Sequence, residues 1–196
     1  EIAAGPDGPS VGAFFDFDGT LLAGYSIVAF LRERLRRREI GLAEIGRMAE
    51  GLFASLTGEI DNHELLERGL AEWRDRDVGV MERLGQQLFE RHLERSLFPE
   101  MRAIVAAHRR KGHTLVIASS ATSLQVLPAA RALDIADVLC TRLEARDGRL
   151  TGRIDGQLLW GPAKAVAAQG LAARRGIDLG HSYFYADGNE DAALMH

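Results

Sequence analysis

The stretch Val11 to Leu22, VGAFFDFDGTLL, constrains this chain more than any other. An apolar run of Val11, Ala13, Phe14 and Phe15 leads into Asp16, and Asp18, Gly19 and Thr20 follow. A short apolar run closed by a Gly signal reads as a buried strand, about Gly12 to Phe17. A strand that ends in carboxylates carries charge to a sheet edge, where open α/β folds bind ligands. A calcium loop also begins D-x-D, but it needs Gly at its sixth position and Glu at its twelfth. Counted from Asp16 those positions hold Leu21 and Ile27, so that reading fails. A solvated turn does not account for two carboxylates beside Gly and Thr after a wholly apolar run.

The remaining pattern is helical, then alternating. Glu1 to Ser10 is Gly/Pro-rich and reads as a flexible lead-in, residues 1–10. From Tyr25 to Phe98 no strand signal appears. Apolar residues keep helical spacing at Ile27, Phe30, Leu31 and Leu35, at Ile45, Met48, Leu52, Phe53 and Leu56, at Leu65, Leu66, Leu70 and Trp73, and at Met81, Leu84, Leu88 and Leu93. Some four helices between two strands make an insertion, residues 25–98, rather than a simple crossover. Beyond Pro99 the spacing predicts a helix over Glu100 to Arg110, a buried strand over Thr114 to Ala118 and a helix over Ser123 to Leu133. A strand over Asp137 to Thr141 follows, then a hairpin over Leu143 to Ile154 turning at Asp147 and Gly148. A helix over Pro162 to Arg175 and a strand over Ser182 to Ala186 complete the pattern. Such alternation argues for a parallel sheet with helices on both faces, built from residues 11–24 and 99–196.

Composition narrows the function classes. The 196 residues suffice for one core and a small insertion, and 46% hydrophobic with 27% charged content is ordinary for a globular domain. A net charge of −4 argues against wholesale nucleic-acid binding. Cys140 is the single cysteine, which excludes an internal disulfide and fits a reducing compartment. No apolar stretch approaches the ~20 residues that span a bilayer, and no signal peptide is expected. The chain does not begin with Met and stops at His196, as expected of a fragment. The run Arg32 to Glu39, RERLRRRE, reads either as a solvated helix face or as contact with an anionic surface such as lipid headgroups.

Three further stretches carry chemistry. Ser119 and Ser120 close the strand TLVIA, where a hydroxyl can meet a phosphoryl oxygen or simply cap the next helix. Lys164 lies just inside a helix opened by Gly161 and Pro162. Asp187, Glu190 and Asp191 follow the last strand in YADGNED, and D-x-x-x-D after an apolar strand fits a metal site better than an acidic turn.

Together and in this order, these motifs resemble those of haloacid dehalogenase superfamily phosphatases, in subfamily IB with phosphoserine phosphatase. The likeness runs from about Val11 to Met195. It implies a Rossmann-like doubly wound parallel sheet with a helical cap of the C1 type inserted after the first strand. It implies that Asp16 attacks phosphorus and that Asp18 protonates the leaving oxygen, then activates water. Gly19 admits the phosphate, Thr20 fixes the turn, and Ser119 with the backbone N–H of Ser120 binds phosphoryl oxygens. Lys164 offsets their charge. Mg²⁺ is expected on Asp16, Asp187 and the main-chain carbonyl of Asp18, with Asp191 behind them orienting a water or Lys164.

The chain departs from the phosphoserine pattern in places. Ser120 and Ala121 stand where glycines are usual, and Glu190 stands where Asn is usual. Tyr25 replaces the acidic residue nine positions after the nucleophile that holds the substrate amino group, and Arg68 lies one place from the arginine that holds its carboxylate. The stretches GAFFDFDGTL, LWGPAK and SYFYADGNED further resemble the N-terminal domain of actinobacterial proteins that join such a phosphatase to a lysophospholipid acyltransferase.

The expected function is Mg²⁺-dependent hydrolysis of a phosphomonoester through an aspartyl-phosphate. The substrate is then a small phosphorylated metabolite or a phospholipid precursor. A phosphate-sensing or scaffolding domain is the alternative, and transfer to an acceptor other than water shares the first half-reaction. The expected location is the cytoplasm, with membrane association of the full-length protein through a fused acyltransferase domain outside this chain. The family fold normally continues past its fourth motif with a helix and a strand, whereas five residues, Ala192 to His196, remain here.

Overall fold

Ala13 and Phe15 point to one side of the first strand and Phe14 to the other, and all three are buried. A strand buried on both faces belongs at the centre of a helix-covered sheet. The computed structural model describes residues 2–39, 41, 46 and 62–187 and bears this out. The strands are β1 (Gly12–Phe15), β2 (Thr114–Thr122), β3 (Asp137–Arg146), β4 (Arg149–Asp155) and β5 (Tyr183–Tyr185). Among the described residues they form one sheet in the order β4-β3-β2-β1-β5. β1 pairs in parallel with β2 and β5, β2 with β3 likewise, and β4 is antiparallel to β3.

The helices are α1 (Ile27–Arg36), α2 (Asn62–Leu70), α3 (Val78–Leu88), α4 (Pro99–Arg110), α5 (Ser123–Ala132) and α6 (Pro162–Arg175). Ala13 and Phe15 pack with Val105 of α4 and Val126, Ala129 and Ala130 of α5. Phe14 packs on the opposite face with Ala168, Leu171 and Ala172 of α6. The helix expected around Ile45 to Leu56 lies, apart from Gly46, outside the described residues, as do Glu190 and Asp191. Among the described residues no helix is long and apolar enough to cross a membrane.

Three expectations are modified. The strand at Asp137 does not stop before the hairpin: β3 runs on to Arg146, so its first half pairs with β2 and its second half with β4. Asp147 and Gly148 make the turn with φ of 50° and 75°, the conformation that a tight hairpin of this twist requires. The lead-in is tied to the core rather than loose. Gly8 N–H donates to the Lys111 carbonyl (2.9 Å), Thr114 Oγ1 donates to the Pro9 carbonyl (2.7 Å), and Lys111 pairs with Asp7. The arginine run is partly internal: buried Glu33 accepts from Arg36 (2.6 and 2.8 Å) and from Arg37 Nε (2.7 Å), and these bonds hold its carboxyl down at about 2.

The insertion shares an apolar interior with the core. Phe30, Leu70, Trp73, Met81 and Leu88 cluster with Leu124 of α5 and with Leu150 and Ile154 of β4. Pro128 inside α5 cannot donate to the carbonyl four residues back, that of Leu124. Gly85 of α3 lies against that carbonyl so closely that a Cβ would collide with its oxygen. Beside it, Arg131 of α5 donates to Gln86 Oε1 through Nε (3.2 Å) and Nη2 (2.7 Å). Cap and core therefore meet on backbone, where a side chain would push them apart.

A chain of rings underlies β5. His113 Nε2 lies 2.8 Å from the Pro6 carbonyl, which can only accept, so Nε2 carries the proton and Nδ1 accepts from His108 Nδ1 at 2.7 Å. His108 Nε2 then accepts from the Tyr185 hydroxyl at 2.8 Å. His108 is fully buried, and burial, then the neighbouring His113, push its pKa down to about 4. The unfolded chain takes up this proton near pH 6.5 and the folded chain does not until about pH 4. The stability present above pH 6.5 is thus lost as pH falls through that window, by on the order of 2–3 kcal/mol. Thermal melts between pH 7.5 and 4.5 are expected to show this slope in the wild type and a flatter one in His108→Asn; identical slopes would contradict the assignment.

Candidate active site

Strand register assembles the site. Phe15 of β1 stands level with Ile117 of β2 and Tyr185 of β5, so the residues that follow all three lie toward the same end of the strands. Those residues include Asp16, Asp18, Ser119 and Asp187. Asp16 is buried at 9% exposure, and its N–H donates to the Tyr185 carbonyl (2.9 Å), which fixes the first carboxylate relative to β5.

Lys164 reaches this end from the other face. Gly161 and Pro162 open α6 and place Lys164 in its first turn. A cation is disfavoured at the positive end of a helix and costly to bury, yet Lys164 is only 2% exposed. Its Nζ lies 3.0 Å from Asp16 Oδ1, and this charge-assisted bond offsets both costs.

Asp18 is half-buried and doubly bonded to one residue. Ser26 N–H donates to Oδ1 (2.8 Å) and Ser26 Oγ donates to Oδ2 (3.0 Å). Burial raises the Asp18 pKa, the Ser26 bonds oppose it, and the charge of Asp187 adds to the rise. The direction is the one an acid that must hold a proton near neutrality requires. Gly19 follows at φ +80°, its N–H shared between the carbonyls of Leu22 (2.9 Å) and Gly24 (3.1 Å). The Asp187 carboxylate occupies the space where a Gly19 side chain would begin. Thr20 donates its N–H to the Phe17 carbonyl (3.3 Å). Its buried hydroxyl has no partner among the described residues.

Ser119 is 1% exposed and lies where the β2–β3 register slips between Ser119 and Thr122. Its Oγ accepts from Ala121 N–H (3.2 Å), and the N-cap of α5 is Thr122, so Ser119 is not the helix cap. The Ser120 carbonyl accepts from Thr141 Oγ1 (2.7 Å). Tyr25 is 68% exposed before α1, and Arg68 is bonded to Glu64 (2.7 Å) on an exposed face of α2. Asp191 lies outside the described residues.

The donor chemistry suits Mg²⁺. Among the described residues no three acidic, histidine or cysteine side chains form a metal-holding group. The expected set instead uses two carboxylates, Asp16 and Asp187, with the Asp18 carbonyl. The seating of Asp187 over the bare Gly19 Cα keeps its carboxylate beside the Asp18 backbone. Hard oxygen donors that leave room for water are the Mg²⁺ preference.

Ser26 and Gln125 were not singled out from sequence. Ser26 sits just before the apolar-periodic run of α1, and Thr122-x-x-Gln125 has the capping-box spacing. Those signals mark helix starts and do not reveal that Ser26 turns its hydroxyl to Asp18.

A family model described as haloacid dehalogenase-like hydrolase matches residues 13–196. A Mycobacterium tuberculosis protein named "Probable phosphatase" is 28% identical over 189 residues, which cover 93% of this chain and 64% of that protein. A second protein of that organism, named as a phosphoserine phosphatase, is 27% identical over 187 residues, covering 93% and 61%. The chain thus spans less than two thirds of the length of these relatives. A solved protein of unknown function from Bordetella pertussis Tohama I matches with a TM-score of 0.84 at 25% identity, covering 96% of this chain and 86% of that one.

Proposed function

The chain belongs to the haloacid dehalogenase-like hydrolase family, and from that premise we propose that it is a Mg²⁺-dependent phosphomonoesterase acting through an aspartyl-phosphate on Asp16. The observation that carries this reading is the buried Lys164–Asp16 pair (3.0 Å) at the end of the strands that also bears Asp18 and Asp187. In the first step an Asp16 oxygen attacks phosphorus and the bond from phosphorus to the leaving oxygen breaks. Asp18 gives that oxygen its proton, so an alcohol departs. In the second step the Asp18 carboxylate takes a proton from water, the water oxygen bonds to phosphorus, and the acyl-phosphate bond breaks to free Asp16 and phosphate.

Charge governs both steps. Two like unit charges 4 Å apart repel by about 4 kcal/mol at an effective dielectric of 20. Asp16, Asp187 and a phosphate dianion contribute several such repulsions, which Lys164 offsets in part. Mg²⁺ bound by Asp16, Asp187 and the Asp18 carbonyl would supply the remaining neutralisation as a Lewis acid.

The substrate in this proposal is a small phosphorylated metabolite or a phospholipid precursor, with serine phosphate disfavoured. Tyr25 offers no charge for an amino group, and the Arg68 guanidinium is engaged by Glu64. Glycerol phosphates and lysophosphatidate belong in the substrate screen, because of the resemblance to phosphatase–acyltransferase fusions. The decisive assay is hydrolysis of p-nitrophenyl phosphate with Mg²⁺ or with EDTA, by wild type and Asp16→Asn. Wild type with Mg²⁺ is expected to exceed the variant by at least about 1000-fold and to fall to background in EDTA. Equal rates would sink the proposal. A phosphate compound that raises the melting temperature and is never turned over would favour the sensing role instead.

A further inference from the structure

Asp18 is held by a line of buried polar groups that runs into the core. Ser26 is fully buried, Thr122 is 2% exposed and Gln125 4%. Ser26 Oγ has one proton, and it goes to Asp18 Oδ2 (3.0 Å). The same oxygen accepts from Gln125 Nε2 (2.8 Å), across 99 residues of sequence. Gln125 Oε1 in turn accepts from Thr122 N–H (2.9 Å) and Thr122 Oγ1 (2.6 Å). Every donor points one way, from Thr122 through Gln125 and Ser26 to Asp18. Flipping the Gln125 amide would set its NH₂ against the Thr122 N–H, so the orientation is determined by the network. Helix α1 starts without a side-chain cap, because the Ser26 hydroxyl is engaged on Asp18. A buried polar group left without a partner is costly, and each group in the line finds its partner in the next.

We propose that Ser26 and Gln125 are positioning residues for the acid/base Asp18: Ser26 clamps both carboxylate oxygens and Gln125 fixes the direction of the Ser26 hydroxyl. The proposal rests on the phosphatase reading above. Each carboxylate oxygen can accept two hydrogen bonds, so the clamp fixes the rotamer and still leaves a position on each oxygen for the proton that Asp18 donates to the leaving group. In the step concerned, the bond from phosphorus to the ester oxygen breaks as the Asp16–phosphorus bond forms, and the proton on Asp18 passes to the departing oxygen. The poorer the leaving group, the more that transfer depends on where Asp18 stands.

Leaving-group dependence therefore separates positioning from a merely structural role. Phenyl phosphate and p-nitrophenyl phosphate have similar shapes, but phenol leaves far less readily. For Ser26→Ala the kcat/KM on phenyl phosphate with Mg²⁺ is expected to fall about 30-fold or more, and on p-nitrophenyl phosphate about 3-fold, a change of about tenfold in their ratio. Gln125→Glu keeps the shape but removes the donor to Ser26 Oγ and draws the Ser26 proton away from Asp18, so the ratio should shift the same way. It also carries the test if Ser26→Ala does not fold, and it needs no assumption about the amount of active protein, since a ratio is read. A wild type with normal turnover and an unchanged ratio in both variants overturns this inference alone. A shift in Ser26→Ala only overturns the part assigned to Gln125. Turnover of neither ester by the wild type overturns the phosphatase reading and this inference with it.

Discussion

Lys164→Met is expected to lower Mg²⁺-supported hydrolysis by about 10²–10³-fold, the loss that follows removal of one preorganised charge from a reacting centre. Methionine has nearly the volume of the lysine stem, so packing at this buried position is preserved. The loss should appear in kcat as well as kcat/KM, because negative charge gathers on the phosphoryl group as it passes to Asp16. The folded state should suffer too. Asp16 at 9% exposure would lose the cation 3.0 Å away. Removing one partner of a fully buried pair costs 3–5 kcal/mol, and at the strand ends about 2–3 kcal/mol is expected. For a chain of this length that is a fall of roughly 5–10 °C in melting temperature, read in EDTA so that no divalent ion replaces the lysine charge. A variant within threefold of wild-type activity and unchanged in melting temperature would show that the pair serves neither purpose.

Gly19→Ala is expected to raise the Mg²⁺ concentration needed for half-maximal activity by at least tenfold, and Gly24→Ala to leave it near the wild-type value. Both glycines have positive φ, +80° and +85°, so each substitution carries a backbone cost of about 1–2 kcal/mol. They differ in what a methyl group meets. At Gly19 it runs into the Asp187 carboxylate, while at Gly24 nothing lies within 4 Å. Comparing the two removes the shared backbone term and leaves the displacement of Asp187. Melting temperature should fall by a similar amount in both, whereas Mg²⁺ titrations of activity should separate them. Parallel titration curves would mean that Asp187 is not the group through which the metal is held.

The order of strands and helices was legible because its signals are local. Phe14 and Phe15 mark a strand buried on both faces, Pro99 and Pro162 open helices, and Asp147-Gly148 turns the hairpin. Convergence at one end of the strands was legible for Asp16 and Asp187, since each ends an apolar run and parallel register levels them. Contacts that join distant segments had no local sign. The Ser26–Gln125 bond spans 99 residues. The approach of Gly85 to the Leu124 carbonyl depends on Pro128 having freed that oxygen, a consequence visible only once α3 is docked on α5. The lead-in misled for a related reason. Gly and Pro there suggest looseness, yet it is carbonyls of Pro6 and Pro9 that accept from His113 and Thr114. The Arg68–Glu64 pair, by contrast, has a local sign, since the two residues stand four apart on one helix.

The central claim is that Asp16 itself becomes phosphorylated. It is tested most directly by acid-quenching the enzyme during turnover of p-nitrophenyl phosphate with Mg²⁺, digesting it and weighing the peptide that contains Asp16. The account predicts one phosphoryl group on Asp16, removed by hydroxylamine as an acyl phosphate is, and none in Asp16→Asn. Steady turnover with Asp16 unmodified at every quench time, or full activity in Asp16→Asn, would contradict it.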